Sequence, residues 1–292
     1  MQALFGQLLI GLINGAFYAM LSLGLAVIFG LLNIINFTHG AQYMMGAFCA
    51  WLLLHYVHVG DYYLGYWWSL VITPVVVGAI GIVIERTMLS RLYRLDHLYG
   101  LLLTFGLALV IQGVFRNEFG SSGLPYEIPS LLTGGMNLGF MFLPIYRAWV
   151  IVASLIVCLS TWYVIERTKL GSYLRAATEN RELVQAFGVN VPRMITLTFG
   201  FGVGLAALAG VMAAPIYQVN PLMGADLIIV VFAVVVIGGM GSIMGAILTG
   251  FALGVIEGLT KYFYPEASST VIFVIMVIVL LVRPAGLFGR ER

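Results

Sequence analysis

Residues 166–193 read ERTKLGSYLRAATENRELVQAFGVNVPR and contain eight charged side chains, so they form a strongly polar break in the chain. The 18 residues before them and the 32 residues after them contain no Asp, Glu, Lys or Arg. A helix needs about 20 apolar residues to cross a bilayer, so the two flanking stretches are long enough to do so. Residues 166–193 are therefore predicted to be a loop on one face of a membrane, between two spanning helices.

The composition as a whole also requires a membrane. The chain has 292 residues, of which 61% are hydrophobic and 9% are charged, and its mean hydropathy is +1.04. Soluble domains have about 25% charged residues. The alternating polarity of a β-barrel is absent, and its 35 glycines allow helices to approach closely. We predict an all-α fold, a polytopic membrane helical bundle, with residues 1–292 as a single transmembrane domain.

Hydropathy predicts about eight to nine membrane segments, including broken or half helices. They lie near 5–32, 38–57, 67–85, 98–117, 147–165, 194–215, 226–239, 243–262 and 268–283. Lys and Arg are enriched in cytoplasmic loops, and eleven of the fourteen basic residues lie within 86–97, within 166–193 or after 282. These three regions, including the C-terminus, are therefore expected in the cytoplasm.

The loop at 166–193 and the C-terminus are expected on one side, so an even number of crossings must separate them. Segments 194–215 and 268–283 provide one crossing each. The uncharged stretch 227–256 is therefore expected to contain two more. A break at GGMGS, residues 238–242, provides the turn, since Gly clusters allow conformations that other residues resist. Broken helices at membrane depth are tolerated only where protein or a water-filled cavity covers them. Gly238, Gly239 and Met240 are therefore candidates for a pathway or gate.

A second candidate for the pathway is the polar stretch between the first two segments, residues 33–42, which reads NIINFTHGAQ. Polar side chains at this spacing either form a cytoplasmic turn that caps the next helix, or line a gate or pathway. The residues concerned are Asn33, Asn36, His39 and Gln42. Met44 and Met45, which follow them, are candidates for a flexible gate or are core residues. Asn14, deeper in the first segment, either lines the pathway or forms a helix–helix hydrogen bond.

Charged and reactive residues exclude several other functions. Glu257 and Lys261 are four apart on one helix, which favours a structural ion pair over a proton-coupled carboxylate. Each of the two lysines follows a threonine, so there is no Gly-Lys pair and no phosphate-binding loop. The chain is therefore predicted to be no enzyme and to bind no metal, cofactor or nucleic acid itself.

A short helix of about nine residues is predicted between Thr178 and Gly188, with a defined start and stop. Thr178 is the expected cap, with Glu179 and Glu182 in the first turn, where the helix dipole favours acidic groups. Leu183, Val184 and Phe187 give an apolar stripe, Gly188 ends the helix, and Pro192 is expected to discourage a restart. Such a helix either fits a groove on a partner or lies on the bilayer surface.

The same loop resembles the cytoplasmic coupling loop of bacterial ATP-binding-cassette importers, and specifically that of the branched-chain amino acid permease family. The resemblance extends along nearly the whole chain, in order, through GAFYAM at 15–20, NFTHG at 36–40, FGFGVGLAALAG at 199–210, VIGGMGSIMG at 236–245 and RPAGLFG at 283–289. The chain's short form resembles the LivH-type subunits of this family. It departs from the general importer loop at Arg175, where that pattern has Glu before two alanines.

The resemblance implies a membrane subunit that imports a small amino acid or related compound across the bacterial inner membrane. Its partners would be a longer LivM-type permease, two cytoplasmic ATPases that hold ATP and Mg²⁺, and a periplasmic or extracellular solute-binding protein. The residues expected to couple to the ATPase are Arg175, Ala176, Ala177, Glu179, Asn180, Arg181, Glu182, Phe187 and Gly188.

The alternative function is an ion-gradient-driven secondary transporter. A carrier of that kind needs carboxylates within its membrane segments. Among the twelve acidic residues, only Glu257 and Asp226 are predicted to lie near a membrane segment. The importer subunit is therefore the preferred interpretation.

Overall fold

A computed structural model of the chain describes residues 2–32, 36–59, 62–63, 65–93, 95–139 and 141–289. Nearly all regular structure in these ranges is helical. The helices are α1 (Gln2–Leu32), α2 (Thr38–Tyr56), α3 (Tyr66–Thr87), α4 (His97–Phe119), α5 (Ile145–Arg167), α6 (Lys169–Glu179), α7 (Arg181–Ala186), α8 (Val191–Tyr217), α9 (Met223–Gly238), α10 (Ile243–Phe263) and α11 (Val271–Val282).

Four two- or three-residue strands form two small antiparallel hairpins outside the apolar segments. The first pairs β1 (His58–Val59) with β2 (Tyr62–Tyr63), and the second pairs β3 (Gly135–Asn137) with β4 (Phe142–Pro144). Single 3-10 turns lie at Leu89–Arg91, Ser130–Leu132 and Pro265–Ala267.

The prediction of a polytopic membrane helical protein is confirmed. Six helices in the described ranges, α1, α3, α4, α5, α8 and α10, are long and apolar enough to cross a membrane, and α9 and α11 are shorter apolar helices. Together with α2, these helices occupy the nine predicted segments. α9 has 16 residues and ends at the predicted glycine break.

The helices group into two compact units. One comprises residues 1–26, 128–161 and 229–292, and the other comprises residues 27–127 and 162–228. In the first unit α1 packs against α10 at small residues. A Cβ atom on Gly11 would lie 2.5 Å from the carbonyl oxygen of Gly254, so the two backbones are in direct contact.

In the second unit α8 is the central helix, and α2 and α3 pack along it. α2 crosses α8 where Gly46 faces Ala207, and α3 approaches α8 where Gly78 faces Gly200. Outside the helices, Leu124 and Val219 exchange two backbone hydrogen bonds, which tie the chain after α4 to the chain after α8. The start of α2 and the loop at 166–193 both belong to this unit.

Candidate functional site

The start of α2 is a buried polar cluster built on one side chain. The Oδ1 atom of Asn36 accepts a hydrogen bond from the backbone N–H of Thr38 at 3.1 Å, and it also accepts one from the Thr38 hydroxyl. The Nε2 atom of Gln42 donates to that hydroxyl at 3.3 Å. Asn36 and Gln42 are each only 1% exposed.

Each of the two amides in this cluster keeps one buried polar atom without a partner among the described residues. These atoms are Nδ2 of Asn36 and Oε1 of Gln42. The orientation of Asn36 follows from its contacts, because the backbone N–H of Thr38 requires an oxygen acceptor. A buried polar atom left unsatisfied costs about 1–3 kcal/mol. The Thr38 hydroxyl therefore links two amides, one with an unpaired donor and the other with an unpaired acceptor.

The other predicted residues of this region are also buried. His39, Met44 and Met45 lie in the first two turns of α2, whereas Asn33 lies outside the described residues. Gly40 contacts the first turn of α9, where a Cβ atom on Gly40 would lie 2.5 Å from the carbonyl oxygen of Gly224. Gly224 was not singled out from the sequence, because the predicted segment began at Asp226 and α9 begins at Met223. The role of these residues in a pathway or gate stays a prediction.

The glycine break lies in the other compact unit. Gly239 and Gly241 have φ angles of +101° and +83°, which only glycine adopts readily. A Cβ atom on Gly239 would also lie 2.8 Å from Cα of Gly289, so the backbone at Gly289 packs directly against the turn. Met240 is half exposed at the tip, while Asn14 is half-buried on α1 in the same unit. The predicted turn is therefore present, and its role in a pathway stays a prediction.

The loop at 166–193 contains two helices, which corrects the single capped helix predicted there. Thr178 lies inside α6, and its hydroxyl donates to the carbonyl oxygen of Arg175. The cap of α7 is Asn180, whose Oδ1 atom accepts from the backbone N–H of Leu183 at 2.9 Å. Glu179 is the last residue of α6, so Glu182 alone is the acidic residue in the first turn of α7.

The ends of this loop follow the sequence prediction in part. Gly188 has a φ angle of +83° and ends α7, as predicted. Pro192 was expected to discourage a restart of the helix, and this was wrong, because α8 already begins at Val191. Pro192 occupies the first turn of α8, where its missing N–H costs nothing, and Asn190 caps that helix by accepting from the N–H of Arg193.

The two helices of the loop differ in what they expose. α6 folds back on the end of α5, where Arg175 donates to the carbonyl oxygen of Ile165 and pairs with Glu166 at 3.3 Å, and Ala177 is buried. α7 buries Val184 but exposes Leu183 by 55% and Phe187 by 80%. Ala176, Arg181 and Glu182 are exposed as well. Two of the three residues of the predicted apolar stripe, Leu183 and Phe187, are therefore exposed on the surface of this chain, whereas Val184 packs inside.

A buried carboxylate near this loop was missed from the sequence. Glu85, in the last turn of α3, is 2% exposed. Its two oxygens accept hydrogen bonds from the hydroxyl of Tyr93 at 2.6 Å and from the hydroxyl of Thr196 at 2.7 Å. Burial, followed by the bond to Glu85, raises the pKa of Tyr93 far above its ordinary value, so its proton stays in place. The cluster joins α3 to the first turns of α8.

The predicted ion pair on α10 is present. Lys261 donates to Oε1 of Glu257, and the hydroxyl of Tyr18 donates to Oε2 at 2.7 Å. Tyr18 had no signal in the sequence, because it lies on α1, 239 residues away along the chain. Glu257 is therefore held by two fixed partners.

With this geometry in place, comparison with known proteins decides the family. A family model described as "Branched-chain amino acid transport system / permease component" matches residues 7–280. The chain belongs to this family. The resemblance found in the sequence is thereby confirmed, and the function of a transport permease is supported over that of an ion-gradient-driven carrier. No solved structure matches the chain.

Individual relatives support the same assignment over almost the full length. The chain is similar to the "High-affinity branched-chain amino acid transport system permease protein LivH" of Escherichia coli K12, with 29% identity over 97% of this chain and 95% of the relative. It is 30% identical to the corresponding BraD protein of Pseudomonas aeruginosa, with the same coverage of both chains. The E. coli permease protein LivM is 30% identical over 94% of this chain and 68% of its own length.

Proposed function

We propose that this chain is the shorter permease subunit of an ATP-binding-cassette importer for branched-chain amino acids or closely related compounds. It would pair with a longer LivM-type permease and work with two ATPase subunits and an external solute-binding protein. The observation that carries the proposal is α7, a capped helix outside the apolar segments that exposes Leu183 and Phe187 in a member of a permease family.

An exposed apolar pair on a short polar loop is stabilised when a partner covers it. Phe187 is 80% exposed, and covering it would contribute about 25 cal/mol for each Å² of apolar area removed from water. Apolar helix residues one turn apart are the typical anchors of a helix that docks into a groove on another protein. The ATPase subunit of an importer is the partner that must receive such a helix, because its nucleotide cycle has to move the permease. ATP and Mg²⁺ would be held by that subunit.

The proposed orientation places this loop and the C-terminus in the cytoplasm. Basic residues are enriched in both regions, as the positive-inside rule requires. The start of α2 is the proposed contact point for the solute. Its free amide donor on Asn36 and free acceptor on Gln42 match the carboxylate and the ammonium group of an amino acid. The relatives named as branched-chain amino acid permeases support this class of cargo.

The experiment is to reconstitute the complex in liposomes with Phe187→Ala, using Phe263→Ala at the end of α10 as the matched control. Phe263 is exposed to a similar degree, 71%, but lies outside the loop. Removing an interface anchor of this type costs about 2 kcal/mol or more, so Phe187→Ala should weaken ATPase association about 30-fold. ATP-dependent uptake should fall in parallel, while Phe263→Ala keeps both.

Two results would contradict the proposal. If the purified chain carries amino acid along an ion gradient without any ATPase, the driving force is different. If Phe187→Ala and Phe263→Ala bind the ATPase equally well and transport at the same rate, then α7 is an ordinary surface helix.

A further inference from the structure

A cleft beside α7 is lined by three arginines from three different parts of the second compact unit. It has a volume of about 370 Å³. Arg86 comes from the end of α3, Arg181 from the start of α7 and Arg193 from the start of α8. Gln185 also lines it, as does Ser90, whose hydroxyl donates to the carbonyl oxygen of Arg86. Three arginines and one glutamine therefore line one opening with side chains that can donate hydrogen bonds.

None of the three arginines forms an ion pair within the part of the chain that the structure describes. The ion pairs found there join Arg175 to Glu166 and Lys261 to Glu257, and neither involves the cleft. Glu85 lies in the wall of the cleft, but its oxygens are taken by the hydroxyls of Tyr93 and Thr196. Three arginines and one glutamate leave an excess of positive charge around the cleft, which a bound anionic group would offset.

α7 connects this cleft with the exposed apolar pair. Arg181 and Gln185 are four residues apart and line the cleft. Leu183 and Phe187 are also four apart, and they lie about half a turn away on the opposite, exposed side of the helix. Val184 is the buried residue of α7, so a groove that receives this helix would enclose both its Arg181 side and its Phe187 side.

We propose that this cleft is a second docking point for the ATPase subunit and receives one or two acidic side chains of that subunit. A guanidinium group binds a carboxylate through two parallel hydrogen bonds, which fixes orientation as well as adding affinity. The contact would attach the ATPase to the ends of α3 and α8 as well as to α7, so that movement of the ATPase reaches both transmembrane helices directly. The inference rests on the proposed function, and it adds the chemistry of the partner's contact.

An anionic lipid headgroup is the other chemistry that could fill a basic cleft. A protein is favoured, because one protein surface can cover both the cleft and the exposed Phe187, whereas a headgroup covers the cleft alone. The experiment therefore has a lipid arm that separates the two occupants.

The test measures ATPase binding to the purified permease pair in detergent, with Arg86→Gln, Arg181→Gln and Arg193→Gln compared with Arg91→Gln. Arg91 is exposed in the turn that follows α3 but does not line the cleft. Each cleft variant should weaken binding roughly tenfold, as expected for the loss of a charged hydrogen-bond partner. Binding to the wild-type pair should fall with added salt, and it should do so less steeply in the variants.

A charge exchange gives the positive arm of the test. Arg193→Glu should abolish binding, and reversing one acidic residue on the ATPase to arginine should restore it. Restoration by a single position identifies the carboxylate that enters the cleft.

Three outcomes would overturn the inference. If the cleft variants and Arg91→Gln bind the ATPase alike while Phe187→Ala fails to bind it, the cleft is not a docking point and the proposed function stands. If the cleft variants differ from Arg91→Gln only when anionic phospholipid is added, a headgroup is the occupant. If no ATPase binds the wild-type permease pair, the proposed function and this inference fail together.

Discussion

The crossing of α2 and α8 permits a quantitative test of how the polar start of α2 is held in place. A Cβ atom on Gly46 would lie 2.5 Å from Cα of Ala207, and one on Gly210 would lie 2.9 Å from the backbone nitrogen of Ala47. Both obstacles are backbone atoms, so no side chain can rotate away. Since ordinary contacts begin near 3.4 Å, Gly46→Ala requires the helices to separate by roughly 1 Å.

The cost of that separation can be estimated. Forcing extra volume into a packed contact costs about 1–3 kcal/mol, and a gap of about 1 Å forfeits up to half of the dispersion energy of each contact at the crossing. Replacing glycine by alanine inside a helix returns about 0.5–1 kcal/mol. Gly46→Ala should therefore lower the free energy of unfolding by about 1–2 kcal/mol, and uptake should fall because Asn36, Thr38 and Gln42 begin the same helix.

The assay is unfolding of the purified permease in detergent, with Gly113→Ala on α4 as the matched control. A Cβ atom on Gly113 has no heavy atom within 4 Å, so only the gain in helix propensity applies and the variant should be as stable as the wild type or slightly more stable. Equal stability of Gly46→Ala and Gly113→Ala would refute the reasoning, because it would mean that the helices do not approach as closely as the structure shows.

Two further predictions concern the region around the loop at 166–193. Thr196→Val removes one of the two hydrogen bonds to the buried carboxylate of Glu85 and should lower the free energy of unfolding by about 1.5–3 kcal/mol. In thermal unfolding, the nearby buried control Thr198→Val should show a clearly smaller loss of stability. Equal losses in the two variants would argue against the Glu85 cluster. Asn180→Ala removes the cap of α7, which contributes about 0.5–2 kcal/mol to the stability of the helix. Amide hydrogen exchange at residues 181–187 should therefore be faster in Asn180→Ala than in Thr178→Ala. Faster exchange in Thr178→Ala would mean that Thr178 is the cap.

The transmembrane part of the fold could be predicted well because lipid imposes a simple rule. Every spanning segment must be long, apolar and internally hydrogen-bonded, and the nine predicted segments correspond to nine helices. The break at Gly238–Ser242 was also accessible, since a glycine cluster inside a long uncharged run strongly favours a turn. α9 begins at Met223, three residues before the prediction, because Asp226 was taken as the boundary although it lies in the first turn of the helix.

The loop was harder because short helices have weak signals. Thr178 and Asn180 are both good caps, and they lie two residues apart, so the sequence could not choose between them. The choice depends on α6, which continues through Thr178 because its other residues pack against the end of α5. Pro192 was ambiguous for a similar reason, since proline both ends helices and begins them.

Glu85 was missed because a charge at the end of an apolar run is normally counted as the end of the span. Its burial depends on the hydroxyls of Tyr93 and Thr196, which lie 8 and 111 residues away along the chain. No periodicity in α3 marks these partners. A structure was needed to show that a carboxylate beside the loop is buried and accepts two hydrogen bonds.

The discovery of Glu85 also bears on the driving force of transport. The case against an ion-gradient-driven carrier depended on the scarcity of carboxylates near the membrane, and Glu85 adds one. Both buried carboxylates, however, are held by fixed donors: Glu85 by Tyr93 and Thr196, and Glu257 by Tyr18 and Lys261. A proton-coupled carrier needs a carboxylate that exchanges its proton as access alternates. Four donors from three helices and a loop give these two groups a structural role, so neither is placed to exchange a proton as access alternates.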